Sequence, residues 1–422
     1  MMRRGIILAL MVGLVATACG GGGGAKKGTT TSKNVEVFSW WTAPGEAEAL
    51  DALVKVFDQK YPTYTFDNAA VAGGAGTNAR AVLATRLSAN DPPASWQGHA
   101  GQELIGTYVA AGQIESLNSL FQKEGWLNVM PKGLIDLISQ NGNIYSVPVN
   151  IHRANILWYN PKVLKDNGIT VPTTWDQFFT AADKLKAAGV TPLAMGEQWT
   201  SMHLLETVLA GTLGPDKWTG LWRGTTDWNS PEVTQAIATF AKVLSYTNSD
   251  ASTLSWDQAA GLVVNGDAAF TIMGDWAEGF FKSKGLKPHE GYDWAASPGT
   301  NGVFDMLADS FVLPKDSPNP NGTTAWLIVA GSKEGQDAFN PIKGSIPART
   351  DADRSKYDEY QQWSMDQFTS DTIVGSLTHG AVANDNWKSE IDTALGLFLT
   401  NKDQAAFQKA LAAACSDAGT CS

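Results

Sequence analysis

The sequence predicts an α/β protein organised as two domains around a cleft. Three observations carry that expectation: strands and helices alternate from Val35 onward, about 390 residues follow a polar tether, and helices lengthen beyond residue 150. A single hydrophobic core rarely grows past ~250–300 residues, so a chain of this length is expected to divide.

Taken in order, the chain opens with Arg3 and Arg4 ahead of an apolar run over residues 6–15 that ends in Ala16-Thr17-Ala18-Cys19. A basic start and a short apolar stretch fit an export signal, and small residues before a cysteine fit cleavage and lipidation at that cysteine. Residues 1–19 therefore read as a lipoprotein signal ending at lipidated Cys19, the alternative being an ordinary signal cut near Ala18. Residues 20–34 are Gly-, Thr- and Lys-rich, a flexible tether unable to bury a core. Such a chain is expected outside the cytoplasm, lipid-anchored to the outer face of the cell membrane. No later stretch approaches the roughly 18 apolar residues of a membrane span.

Residues 35–39 read as a strand and 46–61 as a helix, with Leu50, Leu53, Val54 and Phe57 at helical spacing. A strand over 65–70 follows, then Gly73-Gly74-Ala75-Gly76 turns into a helix over 78–89, which Asp91-Pro92-Pro93 stops. A short strand is expected before Trp96-Gln97-Gly98-His99, a helix over 104–111, and a strand over 144–149 that ends in the polar cluster 150–153. Longer helices are then predicted over 174–188, 203–213, 231–244 and 256–266. A strand over 268–273 leads into Gly274-Asp275-Trp276, and one continuous strand is expected from 305 to 313. Helices over 321–329, 333–340, 356–369, 387–401 and 405–414 complete the chain.

Composition narrows the function. Charged residues are 17% of the chain, and 42 acids against 31 bases leave a formal charge of -11, which disfavours nucleic acid and anionic membrane surfaces as partners. Sixteen tryptophans, several beside polar residues as in Trp40-Trp41, Glu197-Gln198-Trp199-Thr200 and Gly274-Asp275-Trp276, point to carbohydrate. A pyranose packs its flat C–H patches on an indole while its hydroxyls need polar partners at the rim. With Cys19 assigned to lipid, Cys415 and Cys421 are expected to form a small-loop disulfide in an oxidising exterior, against two free thiols. Two cysteines without a nearby histidine give no metal site.

Catalytic and nucleotide motifs are missing. Gly74-Ala75-Gly76-Thr77-Asn78-Ala79 matches a dinucleotide fingerprint in form, but the first strand–helix turn, where that fingerprint normally sits, is already occupied by residues 40–46. Asp305 and Asp309 could be imagined as a glycosidase pair, yet on one strand both would face the same side. His99, His152 and His379 lie beside Gln, Asn and Gly in apparent strand-end polar clusters.

Seven segments taken together resemble the extracellular solute-binding proteins of ABC sugar importers, nearest the glucose/mannose-binding members. They are residues 38–41, 72–76, 98–101, 146–153, 273–276, 340–346 and 374–382. The resemblance implies a two-lobe periplasmic-binding-protein-like fold, with hinge crossings near 147–151, 303–307 and 345–352. The N-terminal lobe would hold 35–147 and 304–348, the C-terminal lobe 148–303 and 349–422. By matched motif, the ligand should meet Trp41, Glu46, Gln97, His99, His152, Trp276, Asp309, Lys343 and His379. Trp41 and Trp276 would pack on the sugar ring. The implied ligand is a monosaccharide, glucose before mannose or galactose, with the ABC permease transmembrane subunits as partners, no cofactor, no catalysis and a monomeric chain. A disaccharide-binding protein, a secreted glycosidase and a non-transporting adhesin or sensor are the competing readings. Ala43-Pro44-Gly45 departs from the expected first loop, which makes Glu46 the least secure contact, and the Cys415/Cys421 tail lies outside the match.

Overall fold

The computed structural model of the protein describes residues 32–421, so the signal segment, Cys19 and the tether as far as residue 31 lie outside the described residues. Its strands, in chain order, are β1 (Asn34–Phe38), β2 (Thr65–Asn68), β3 (Ser95–His99), β4 (Ser139–Gln140), β5 (Asn143–Ile144), β6 (Ser146–Pro148) and β7 (His152–Arg153). There follow β8 (Ile156–Tyr159), β9 (Thr191–Ala194), β10 (Ala268–Met273), β11 (Asp293–Ala296), β12 (Val303–Leu307), β13 (Asp309–Val312) and β14 (Thr372–Gly375).

Two lobes result, each with its own sheet and core. In the first, β1 runs parallel to β2 and β3, and β13 joins antiparallel between β3 and β6 to complete the order β2-β1-β3-β13-β6. Its core gathers Val37, Leu53, Phe57, Trp96, Phe311 and Trp326. The second lobe has a four-stranded sheet, β11-β8-β10-β9, with helices packed on it and Phe178, Met202, Phe240, Phe270 and Trp387 in its core. A three-stranded sheet, β14-β12-β7, stands at the junction.

Local chemistry accounts for most elements. The helix Glu46–Lys60 buries Leu50, Leu53 and Phe57 on one stripe. Thr174 caps the helix Trp175–Ala187 by accepting from the Gln177 N–H, and Ser230 caps Pro231–Leu244 by accepting from the Val233 N–H. Several expectations are corrected. Trp96 to His99 lie within β3 rather than after a strand, and residues 103–109 form a π-helix. The stretch expected as one strand over 144–149 breaks at Tyr145 into β5 and β6. The helix at 203–213 extends over Gln198–Trp222 with a bend at Gly214, whose φ of 76° is not helical. Most consequential, Asp305 and Asp309 do not share a strand: the chain leaves β12 at Leu307 and enters β13 at Asp309, so the two acids belong to different sheets. Period-2 patterning cannot show that crossing, because Ala308 between the strands is buried like its neighbours.

Glycines set one close approach. The helix Trp276–Ser283 meets the loop before Glu46 and the end of the helix Lys333–Lys343 with no room for side chains. A Cβ on Gly279 would lie 2.7 Å from the Ile342 carbonyl oxygen and 2.9 Å from that of Lys343. Gly45, at φ +87°, would place one 2.4 Å from the Gly279 carbonyl carbon. This contact brings Trp276, Glu46 and Lys343 to one place. Cys415 and Cys421 are bonded at the end of the last helix, with Cα atoms 5.3 Å apart.

Gly279→Ala is expected to lower stability by roughly 1–3 kcal/mol in urea denaturation, since backbone cannot yield to the added methyl. Gly261→Ala, in the interior of the helix Trp256–Asn265 with nothing within 4 Å of its Cβ, should be neutral or stabilising. Cys421→Ser should cost at most ~2 kcal/mol, because the loop closed is short.

Candidate functional site

The site forms where the chain passes between sheets. β7 pairs antiparallel with β12 so that His152 stands opposite Leu307, and β13 pairs with β3 so that Asp309 stands opposite His99 and Phe311 opposite Gln97. Strand alternation then turns Gln97, His99 and Asp309 to one face. A cavity of about 320 Å³ opens over this junction.

Of the residues expected to contact ligand, Trp41, Glu46, His99, His152, Trp276, Asp309, Lys343 and His379 line the cavity. Gln97 does not. It is 2% exposed and sits one layer back, where its Nε2 donates to Asp309 Oδ1 at 2.8 Å.

Asp309 is the hub. Besides Gln97, its Oδ2 accepts from Asn150 Nδ2 at 2.9 Å and from His152 Nε2 at 3.0 Å, and His99 Nε2 stands 3.7 Å from Oδ1. Burial pushes the Asp309 carboxyl up, but hydrogen bonding and charge from His152, with His99 and Lys343 behind, hold it well below the usual carboxylate range. His152 also bonds Asp275 through Nδ1. Burial disfavours its charged form, yet Asp275 and Asp309 outweigh burial and raise its pKa above the usual imidazole value.

Each cavity imidazole is held from behind. The Nδ1 of His99 bonds Glu103 Oε2 at 2.8 Å, and Glu103 Oε1 accepts from the His99 backbone N–H at 3.0 Å. Although burial opposes it, His99 and Arg80 lower the Glu103 pKa to about 2. On the opposite wall Lys343 Nζ donates to Glu46 Oε1 at 2.6 Å and lies 5.9 Å from the Trp41 ring and 5.7 Å from the Trp276 ring. Glu46, the contact that the varied first loop made least secure, therefore has a fixed place in the wall.

Further lining groups were not among the expected contacts: Trp40, Trp199 and Trp256 add indoles, while Glu197 and Asp257 add carboxylates. The Trp40 ring lies tilted against His99 with centroids 5.0 Å apart, and a Cβ on Gly76, at φ +88°, would lie 2.8 Å from the Trp40 ring. The Gly-rich turn thus opens space for an aromatic face. Trp199 Nε1 donates to Glu197 Oε1 at 2.9 Å. Trp40 and Trp199 carried a sequence signal, since both belong to the Trp-polar clusters, whereas Trp256 reads only as the first residue of a helix.

Comparison with known proteins agrees with this architecture. The family model described as bacterial extracellular solute-binding protein matches residues 36–337. An uncharacterized ABC transporter extracellular-binding protein of Pyrococcus horikoshii is 36% identical over 405 residues, covering 94% of this chain and 91% of its own. A probable sugar-binding periplasmic protein of Brucella suis is 34% identical, covering 82% of this chain and 83% of its own. Among solved structures, a bacterial solute receptor described as having an exclusive preference for β-D-galactopyranose superposes with a TM-score of 0.80 at 17% identity. That match covers 92% of this chain and 98% of the receptor, and shows the shared two-lobe fold. The chain belongs to the bacterial extracellular solute-binding proteins.

Proposed function

We propose that this protein is the extracytoplasmic sugar-binding component of an ABC importer and that its cavity takes a single monosaccharide, glucose in first place. The observation that carries the reading is convergence: indoles, three imidazoles, carboxylates and one lysine, drawn from distant parts of the chain, line one cavity of about 320 Å³. That volume is at the small end of the ~300–1,000 Å³ typical of ligand sites, which favours one ring over several. Each cation of the walls is met by carboxylates, Lys343 by Glu46 and His152 by Asp275 and Asp309. A neutral, hydroxyl-rich ligand matches such a site, because each hydroxyl both donates and accepts.

On this reading sugar bridges the two lobes and stabilises their closed arrangement, which the permease recognises. The hinge lies in the crossings near 147–151, 303–307 and 345–352, Cys19 carries the lipid anchor, the chain acts as a monomer and the sugar leaves unchanged. Micromolar binding would amount to about -8 kcal/mol, roughly 0.7 kcal/mol per heavy atom of a hexose, within the efficiency that small ligands reach.

Calorimetric titration of the tether-free protein with glucose, mannose, galactose, xylose, maltose and trehalose tests this directly. One-to-one micromolar binding of glucose, with weaker binding of its epimers, is the expected result; preference for a disaccharide, silence across the panel, or chemical conversion of sugar on long incubation would each overturn it. Asp309→Ala should weaken binding ten- to hundredfold, the consequence of losing about 1.5–3 kcal/mol of charge-assisted hydrogen bonding. A loss under about threefold would remove Asp309 from the contact set.

A further inference from the structure

His99 and His152 are each held by a carboxylate in direct contact, Glu103 and Asp275. The third cavity imidazole, His379, has none in contact. Its Nδ1 lies 3.0 Å from Ser376 Oγ, and that hydroxyl lies 3.1 and 3.0 Å from the two carboxylate oxygens of Glu206. Glu206 belongs to the helix Gln198–Trp222 and is completely buried, as is Ser376. Neither lines the cavity.

We infer that Glu206 and Ser376 are positioning residues that fix His379 as its Nδ1–H tautomer, so that Nε2 presents an unprotonated lone pair to the ligand. This rests on the sugar reading of the cavity.

The hydrogen-bond count dictates the direction. A serine hydroxyl has one proton to donate and two lone pairs to accept with. Ser376 Oγ already accepts from the His379 backbone N–H at 3.3 Å. If its proton goes to Glu206, its second lone pair accepts from the His379 Nδ1–H, and every valence is used. Glu206 Oε2 takes the Thr378 backbone N–H at 2.8 Å as well, so the carboxyl acts as an acceptor on that side.

The other side of Glu206 accounts for its proton. His203 Nε2 donates to the Ala154 carbonyl at 2.9 Å, which leaves Nδ1 bare; that atom is buried without a hydrogen-bond partner and faces Glu206 Oε1 at 3.4 Å. A protonated Glu206 supplies the donor that His203 lacks while still accepting from Ser376 and Thr378. Burial pushes the Glu206 carboxyl up to about 7 against those donors, and pushes His203 down to about 4, so the pair shares one proton near neutrality. Burial, reinforced by His99, His203, His152 and Lys388, also drives His379 well below the usual imidazole value, so it stays neutral and its tautomer is a real choice. Asp305 on β12, with both carboxyl oxygens unpartnered, is the remaining titratable group facing Glu206, and its own raised pKa keeps it from adding charge. His203, Glu206 and His379 stand close enough together to share a cation, but in this arrangement Ser376 Oγ engages His379 Nδ1 and one Glu206 oxygen, and the Thr378 backbone N–H holds Glu206 Oε2.

The consequence for recognition is polarity. A hydroxyl meeting His379 must donate to it, and its own oxygen is then left to accept from another cavity donor such as Lys343.

The test is ¹⁵N NMR of imidazole-labelled protein without sugar, followed by titration with glucose. In the wild type, His379 should show an unprotonated Nε2 on both sides of neutral pH. Ser376→Ala should give a mixed or reversed tautomer and weaken glucose binding roughly three- to tenfold, with thermal melting confirming the fold. Glu206→Gln reproduces the protonated acid, its amide N–H reaching His203 and its carbonyl accepting from Ser376, so it should keep both tautomer and affinity; Glu206→Ala should lose both. An Nε2–H tautomer in the wild type, or an unchanged tautomer in folded Ser376→Ala, would overturn the inference. Because the tautomer is read in the sugar-free protein, it stands or falls separately from the ligand: a correct tautomer with no glucose binding would sink the sugar reading and, with it, the role in recognition.

Discussion

Everything at the junction depends on one buried carboxylate. An ionised Asp309 at 2% exposure is tolerable only if nearly all its lone pairs are met, because an uncompensated charge in the interior costs several kcal/mol. The donors come from two segments distant in sequence: Gln97 on β3, and Asn150 and His152 from the loop after β6 and the start of β7. Satisfying Asp309 therefore requires β13 to be in register with β3 and the loop at Asn150, between β6 and β7, to be in place. The Asp309 backbone N–H donating to Asn150 Oδ1 at 2.8 Å fixes the same arrangement a second time. A one-residue slip would turn Asp309 away and leave both the acid and its donors buried and unpaired.

From that constraint the site's electrostatics follow. His152 stands between Asp275 and Asp309, so it is retained in its charged form where burial alone would strip the proton. Arg80 and His99 serve Glu103 in the same manner. Where burial outweighs the neighbouring cations the acids behave oppositely: it raises Glu206, Asp305 and Glu278, the last two despite Arg153 and Lys282. The lowered carboxyls, Asp309 at the cavity and Glu103 behind it, are thus those in hydrogen-bond contact with an imidazole, and that neighbour answers each charge locally.

Much of this was legible in the sequence, and what was not has identifiable causes. The helix expected over 46–61 is found at Glu46–Lys60, and the helix over 231–244 and the strand over 268–273 have the expected bounds, because each is a periodic run between clear caps. The polar clusters at strand ends drew attention to His99, His152 and His379, and the family resemblance, not the residues alone, placed them among the ligand contacts. The relation of Asp305 to Asp309 was misread, because a strand that passes from one sheet to another keeps its alternation. Glu103, Glu206 and Asp257 gave no signal: each is an acid within a helix, and only tertiary placement separates a buried support from a solvated face. Gln97 shows the complementary limit. The family resemblance pointed it to the ligand, yet its amide is committed to Asp309 one layer back.

If the cavity takes a sugar as proposed, its walls also indicate where discrimination between similar ligands would originate. Asp309 has about four lone-pair sites, of which Gln97, Asn150 and His152 occupy three, and Lys343 has three donor protons, of which Glu46 takes one. A ligand can fill these residual valences without breaking any bond the protein already makes, so little reorganisation opposes binding. The same arithmetic penalises a near miss. A hydroxyl shifted to the other face of its ring no longer meets the open valence, and a charged group is sealed in the closed cavity unpaired, at ~1–3 kcal/mol for each such loss. Apolar contact cannot match that selectivity, because the indole faces of Trp40, Trp199 and Trp276 offer similar area to any pyranose, and one methylene more or less is worth about as much as the gap between tight and tolerable fits. On the proposed reading, the indoles therefore supply affinity that is broad, and the residual valences around Asp309 and Lys343 make it narrow.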